Sequence, residues 1–314
     1  MQNPFSKISI AIVLLSNLFL GSCNSDRVPD QEIQADNRYL ETVFDNIDVT
    51  ESVIYGNQPE EHWMNVYEPH GDRLESRPLV ILAPGGGFNP DMIAHSYDLL
   101  IPLAEKLAHA GYLVALINYR TGETNSHEKY KKAFYTALYD LKAAIRYFRK
   151  DADTANRYRA DADKIFTGGW SAGAQIGLFN AFVNSTDELS PSNLIELNEY
   201  EGLEGESGNP GYSSHVSGMI AMAGNMADIS RIKTGDPIIM CIHSDTDYTV
   251  HIDTEEGPFG TAYGSRPIIA RAKEVNIKNQ FIEIEGGTHT APIKPDCPTC
   301  FDQIIRFIGE NLWE

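Results

Sequence analysis

Residues 164–182 of the 314-residue chain constrain its fold more than any other stretch. A β-rich run, Lys164–Thr167, leads into Gly169-Trp170-Ser171-Ala172-Gly173, and a helical pattern follows from Ala174 to Phe182. The pentapeptide has the form G-x-S-x-G, set between a strand and a helix. A serine hydroxyl becomes an effective nucleophile only when it is exposed, hydrogen-bonded to a base and next to donors for a developing oxyanion. A sharp strand-to-helix turn provides the exposure, and its flanking positions must be glycine-sized so that strand and helix do not collide. Ser171 is therefore the candidate nucleophile. The Ala172 N–H is a candidate oxyanion donor, and Trp170 a candidate for the pocket wall.

The rest of the chain has the rhythm such a turn needs. Runs of strand length recur at Leu79–Ala83, Leu113–Asn118, Lys164–Thr167, Val216–Met222, Pro237–Ile242 and Gln280–Glu285. Runs such as LVILA are apolar throughout, as expected of parallel strands buried on both faces. Amphipathic stretches separate them; Ala133–Lys150 sets Leu138, Leu141, Ala144, Ile145 and Phe148 at helical spacing. Alternating strands and helices predict one α/β domain over 41–314, a mostly parallel sheet with helices on both faces. Two earlier segments, near Val43–Tyr55 and Met64–Glu68, alternate apolar and polar and suit an antiparallel edge. Asp187–Tyr212 breaks the rhythm, with seven acidic residues, no basic ones and a glycine-rich run. It reads either as a solvated loop or as a lid or rim over a pocket.

The partners of Ser171 are sought on loops at strand ends. Leu79–Ala83 runs into Pro84-Gly85-Gly86-Gly87-Phe88. Three glycines after a buried strand leave N–H groups unobstructed, and those of Gly86 or Gly87 can face an oxyanion. No Gly-Lys-Ser/Thr follows, which disfavours a phosphate loop. Phe88 is a second candidate for the pocket wall. In hydrolases built on this turn the acid and then the histidine follow the serine. Strand Pro237–Ile242 is followed by His243-Ser244-Asp245-Thr246-Asp247, which offers two acids. His215, His243, His251 and His289 follow the serine. His289 lies in EGGTH, straight after the last strand. His215 precedes a strand, His243 suits a structural hydrogen-bonder at a strand end, and His251 shares the loop of the acids.

These segments together resemble the α/β-hydrolase superfamily, and within it carboxylesterases of the hormone-sensitive-lipase and type-B kind, over roughly Asp48–Leu312. PGGGF is similar to the HGGG oxyanion loop, INYR at 117–120 to the segment after the next strand, and EGGTH to the histidine loop. IHSDTDYTV is similar to the H-G-x-x-D-x-x-V acid loop. The resemblance implies a triad of Ser171, Asp247 and His289 with an acyl-enzyme intermediate, and no cofactor or metal. It implies an ester substrate, small or linked to a polysaccharide, with acyl and alcohol groups left open. Pro84, Ser244 and Thr288 depart from the pattern, replacing a histidine and two glycines. A peptidase on short peptides and a non-catalytic binding protein are the alternatives on the same scaffold. No β-propeller-sized N-terminal region accompanies the first, and the second usually lacks a triad member.

Composition limits partners. Lys and Arg number 25 against 44 Asp and Glu, a formal charge of −19. With no dense basic run, nucleic-acid binding is excluded as an expectation. Residues 1–23 carry Lys7, an apolar run from Ile8 to Leu20, and then Leu20-Gly21-Ser22-Cys23. The run is short for a membrane span and suits a signal segment. Its end resembles a bacterial lipobox, which implies a signal peptide over 1–22, lipid on Cys23 and an extracytoplasmic protein held to a membrane by that lipid alone. Residues 23–40 are polar and aperiodic at first and read as a flexible tether. Of the remaining cysteines, Cys241 sits mid-strand as a buried thiol. Cys297 and Cys300 have C-x-x-C spacing; without further Cys or His ligands nearby, a local disulfide is expected of them.

Overall fold

The computed structural model describes residues 37–186, 196–293 and 297–313. Its described residues all fall in one compact unit, 34–314. Cys23 and the expected signal segment lie outside the described residues.

Ten strands form. β1 (Ile47–Ile54), β2 (Trp63–Pro69), β3 (Arg77–Ala83), β4 (Leu113–Ile117), β5 (Ala160–Trp170), β6 (Gly218–Met222), β7 (Ile238–Ser244) and β10 (Asn279–Ile284) make one sheet, in the order β1-β2-β4-β3-β5-β6-β7-β10. β1 and β2 pair antiparallel with their neighbours, and every later pair is parallel. The alternating segments thus form the antiparallel edge, and the uninterrupted apolar runs form the parallel centre. β3 and β4 are buried along their whole length.

The two-residue period of a strand sends successive side chains to opposite faces. Leu79, Ile81 and Ala83 enter one core; Val80 and Leu82 enter the other. Helices α3 (His127–Asp153), α4 (Ala172–Phe182) and α5 (Ser265–Glu274) cover the first face. Helices α2 (Ile101–His109) and α6 (Cys300–Gly309) cover the second. α1 (Pro90–Asp98) follows the glycine loop and is capped by Asn89, whose side chain accepts from the Asp91 N–H at 2.8 Å. Cys297 and Cys300 are joined as a disulfide at the start of α6, and Cys241 is free and buried.

Three differences from the sequence reading have physical causes. The tether expected through residue 40 ends earlier. Arg38 makes a bidentate pair with Asp72 at 2.8 and 2.7 Å, and the Tyr39 N–H donates to the Ala110 carbonyl at 2.9 Å. α3 starts six residues before Ala133, because Ser126 caps it with a bond to the Lys129 N–H while its exposed, charged first turns show no apolar stripe. A hairpin, β8 (Thr254–Gly257) with β9 (Gly260–Tyr263), is absent from the sequence reading, since acidic and glycine residues carry no strand pattern.

The acidic segment expected over 187–212 divides. Residues 187–195 lie outside the described residues. Glu201–Ser214 is fastened to buried charges on α3. Glu204 meets Lys142 at 3.0 Å and Arg146 at 3.1 Å, and accepts from Ser214 at 2.8 Å. Asp140, fully buried, accepts from Ser207 at 2.7 Å and from the Arg120 Nη2 at 2.7 Å, and lies 2.9 Å from His62 Nε2. Burial alone would raise the Asp140 pKa; the bonds from His62 and Arg120 outweigh it and hold the carboxyl low.

Removing Asp140 strands buried donors and the half-buried Arg120 cation. Asp140→Ala should cost about 3–5 kcal/mol, the scale for breaking a buried charge pair. It is read as a lowered denaturant midpoint; an unchanged midpoint would show the cluster to be dispensable.

Candidate active site

Ser171 stands between the end of β5 and the start of α4 with φ 54° and ψ −119°. That is strained backbone for a residue with a side chain. Its N–H donates to the Met222 carbonyl at 2.9 Å, tying the turn to β6. The flanking glycines are needed for space. A Cβ at Gly173 would lie 2.0 Å from the Ala83 carbonyl oxygen, and one at Gly169 would lie 2.3 Å from the Gly173 carbonyl carbon. The glycine loop after β3 is folded against the same turn. Gly86, Gly87 and Phe88 all have positive φ, at 102°, 59° and 60°. Tyr119 holds this loop from behind, donating to the Pro84 carbonyl at 2.8 Å.

The acid and the histidine sit on loops after β7 and β10, which are neighbours in the sheet. His289 Nδ1 lies 2.7 Å from Asp247 Oδ2. A carboxylate only accepts, so the proton is on Nδ1 and Nε2 is left as an acceptor. The other carboxylate oxygen of Asp247 accepts from the N–H groups of Thr249 at 2.8 Å and Val250 at 3.0 Å. His243 is the third partner. Its Nε2 donates to the Val250 carbonyl at 2.9 Å and lies 3.3 Å from Asp247 Oδ2, while Nδ1 accepts from Ser265 Oγ at 2.8 Å. Burial pushes the Asp247 pKa up, but the bonds from His243, His289 and Val250 outweigh it and hold the carboxyl far below the usual range.

The two loops are clamped together by residues that the sequence reading left without a role. Ser244 Oγ donates to the Gly287 carbonyl, and Thr246 Oγ1 donates to the same oxygen at 2.6 Å. Asp245, the other candidate acid, accepts from the Gly286 N–H at 2.7 Å. Ser244 stands where the resembling loops carry glycine, so its hydroxyl adds a tie such a loop lacks. His251 does not join the acid through its ring; its backbone N–H donates to Glu255 at 3.3 Å. The signal for the clamp is the run of three side-chain hydrogen-bonders beside a glycine pair, legible only once β7 and β10 are known to be adjacent.

Both residues expected at the pocket wall are corrected. Trp170 is buried in the second core and donates from Nε1 to the His289 carbonyl at 2.9 Å, its ring 5.1 Å from the imidazole. The alternation of β5 sends it to the face opposite α4. It links the serine turn to the histidine loop; among the described residues no hydrogen bond joins Ser171 Oγ to His289 directly. Phe88 is fully buried against Tyr130 and Phe134, edge-on at 5.4 and 5.7 Å.

Ser171 opens on a cavity of about 420 Å³. Gly87 and Ala172 line it beside the serine, whereas Gly86 does not. Tyr130, Phe134, Tyr135 and Phe179 supply aromatic wall from α3 and α4. The β8–β9 hairpin supplies the facing side; of the expected acidic rim, Glu196 and Leu197 reach it. A polar line crosses the wall. Tyr130 donates to Gln175 at 2.6 Å, Gln175 to Asn225 at 2.9 Å, and Asn225 to Glu255 at 2.9 Å. Burial raises the Tyr130 phenol to about 12, so it stays a donor at neutral pH. Among the described residues no cluster of three His, Cys, Asp or Glu could hold a metal ion.

Residues 64–216 match the family model described as BD-FAE. No curated protein matches the chain. Among solved structures, a truncated carbohydrate esterase from gut microbiota is 22% identical, with TM-score 0.63, covering 84% of this chain and 95% of its own. A bifunctional GH43-CE protein of Bacteroides eggerthii is 20% identical, with TM-score 0.62, over 83% of this chain and 35% of its own. The propionate-bound esterase Est2 of Thermogutta terrifontis is 16% identical, with TM-score 0.57, over 84% of this chain and 92% of its own.

The lowered Asp247 pKa links this site to stability. A carboxyl depressed in the folded state stabilises it above the unfolded pKa, about 3.9, and loses that contribution as pH falls toward the folded value. The stability difference between the wild type and Asp247→Asn should therefore be largest above about pH 4 and shift against the wild type below it. Denaturant midpoints across pH 2–7 check this (roughly the span over which carboxyls titrate); a pH-independent difference would contradict it.

Proposed function

We propose that this chain, an α/β-hydrolase by fold, hydrolyses carboxylic esters through an acyl-enzyme on Ser171. The observation that carries the reading is the Asp247–His289 pair, held by clamped loops at the same C-terminal end of the parallel strands as the strained serine turn and its cavity. His289 Nε2 takes the proton of Ser171 as Oγ attacks the ester carbonyl, and Asp247 holds the imidazole in the required tautomer and stabilises its cation. The developing oxyanion is met by the amides of Gly87 and Ala172, the latter at the N-terminus of α4. His289 gives its proton to the departing alkoxide, and water then hydrolyses the acyl-enzyme by the same route.

The cavity sets the orientation. His289 must protonate the leaving alcohol but does not line the cavity, whereas Ser171, Gly87 and Ala172 do. The acyl group therefore occupies the cavity and the alcohol faces out past His289. An outward alcohol suits esters carried on a larger molecule, and the likeness to carbohydrate esterases supports a polysaccharide-linked ester.

Ser171→Ala should lower turnover of nitrophenyl esters by several orders of magnitude with the fold retained, as loss of a triad nucleophile does. In the same assay Asp247→Asn should be far more damaging than Asp245→Asn. An amide at 247 favours the wrong imidazole tautomer, while an amide at 245 still offers an oxygen to the Gly286 N–H. The reverse ordering would move the acid to Asp245.

We further propose that the enzyme works outside the cytoplasm, anchored by lipid on Cys23. The apolar run ending in LGSC supports this. Cys23→Ala should release the protein from membranes or leave an uncleaved precursor; unchanged fractionation and processing would overturn the anchor.

A further inference from the structure

The cavity beside Ser171 runs along one helix face. Ser171, Gln175, Phe179 and Val183 recur every four residues through α4 and all line it. At 1.5 Å per residue, Phe179 stands about 12 Å along the helix axis from Ser171. At that level the rings close in. Phe179 lies 5.6 Å from Phe134, and Phe134 lies 5.0 Å from Phe259, both edge-on. Phe259 also meets Tyr135 edge-on at 6.0 Å, and the Lys131 ammonium lies 5.2 Å from its ring.

Phe259 does not come from the core of the fold. It is in the turn between β8 and β9, a hairpin paired outside the main sheet. The hairpin is pinned at its base, where Met226 and Tyr263 exchange N–H···O bonds at 3.0 and 2.8 Å. At its tip, the Phe259 ring meets Phe134, Tyr135 and the Lys131 ammonium.

We propose that Phe259 narrows the acyl cavity from its facing side at the level of Phe179 and sets the longest acyl group the enzyme accepts. The inference rests on the ester-hydrolase reading and deepens it. An extended chain advances roughly 1.2 Å per bond, so the stretch from Ser171 to the level of Phe179 takes about ten bonds before an acyl group meets this narrowing. Longer or bulkier acyl groups meet the ring. Because the tip is a turn on a separate hairpin, the limit depends on one side chain rather than on the packing of the sheet.

The test compares nitrophenyl butyrate, octanoate and dodecanoate. Phe259→Ala should raise the dodecanoate-to-butyrate ratio of kcat/KM at least about tenfold, the scale of one to a few methylenes in an apolar pocket. Phe259→Trp should lower it, which keeps the test valid should the alanine variant loosen the hairpin. The same esters are titrated calorimetrically into proteins that also carry Ser171→Ala. There the chain length at which affinity stops rising should move upward with Phe259→Ala. An unchanged ratio together with an unchanged binding series would overturn the assignment. Should the wild type turn over no ester, the proposed activity falls while the binding series still decides the role of Phe259.

Discussion

The site depends on one close approach, that of the first turn of α4 to the last residue of β3. A Cβ at Gly173 would sit 2.0 Å from the Ala83 carbonyl oxygen, so only glycine allows the helix to start this near the strand. The contact brings two segments about ninety residues apart into register by roughly one side chain's width. The strand end leads directly into Gly85–Gly87, and the helix start presents Ser171 and Ala172. The proposed nucleophile and both proposed oxyanion donors therefore share one rigid junction. The positive φ of Ser171 is sustained by this junction and by the bond from its N–H to Met222.

The proposed base, His289, and its acid, Asp247, are positioned by other means. They lie on two loops, and loops need ties if a proton is to move between fixed atoms. Asp247 gathers donors from His243, His289, Thr249 and Val250, which holds its carboxylate both ionised and oriented. Ser244, Asp245 and Thr246 grip Gly286 and Gly287, two residues before His289. Trp170 closes the circuit by holding the His289 carbonyl from the residue before the nucleophile. The bonds to Asp247 and from Trp170 are short polar contacts in buried or half-buried surroundings, where competition from water is weak and a hydrogen bond is correspondingly directive.

The cavity, by contrast, is assembled from pieces with little to do with catalysis. α3 contributes aromatic rings on the face that packs toward α4, and the polar line from Tyr130 to Glu255 joins α3, α4, the loop after β6 and the hairpin. The glycine-rich stretch after residue 200 serves α3 instead. Its Glu204 and Ser207 satisfy buried Lys142, Arg146 and Asp140, groups that would be costly to leave unpaired. An acidic, glycine-rich composition is equally suited to covering a pocket and to capping a helix's buried cations, and here the stretch after residue 200 does the second while Glu196 and Leu197 reach the cavity.

The sequence by itself determined the sheet and the nucleophile's setting. Uninterrupted apolar runs specify strands buried on both faces, alternating ones specify the edge, and G-x-S-x-G between strand and helix specifies the turn, because each is a local consequence of side-chain size and period. It also put Asp247 and His289 after two strands that are neighbours in the fold. Only the tertiary structure decided what faces what. Which side of β5 Trp170 takes, whether Phe88 lines the cavity or supports it, and that Gly87 rather than Gly86 reaches it are settled by packing across the sheet. The hairpin that completes the cavity was illegible for the same reason. Its strands are acidic and glycine-rich, and they are held by Met226, Asn225 and the rings of α3, partners that adjoin it only after the chain has folded.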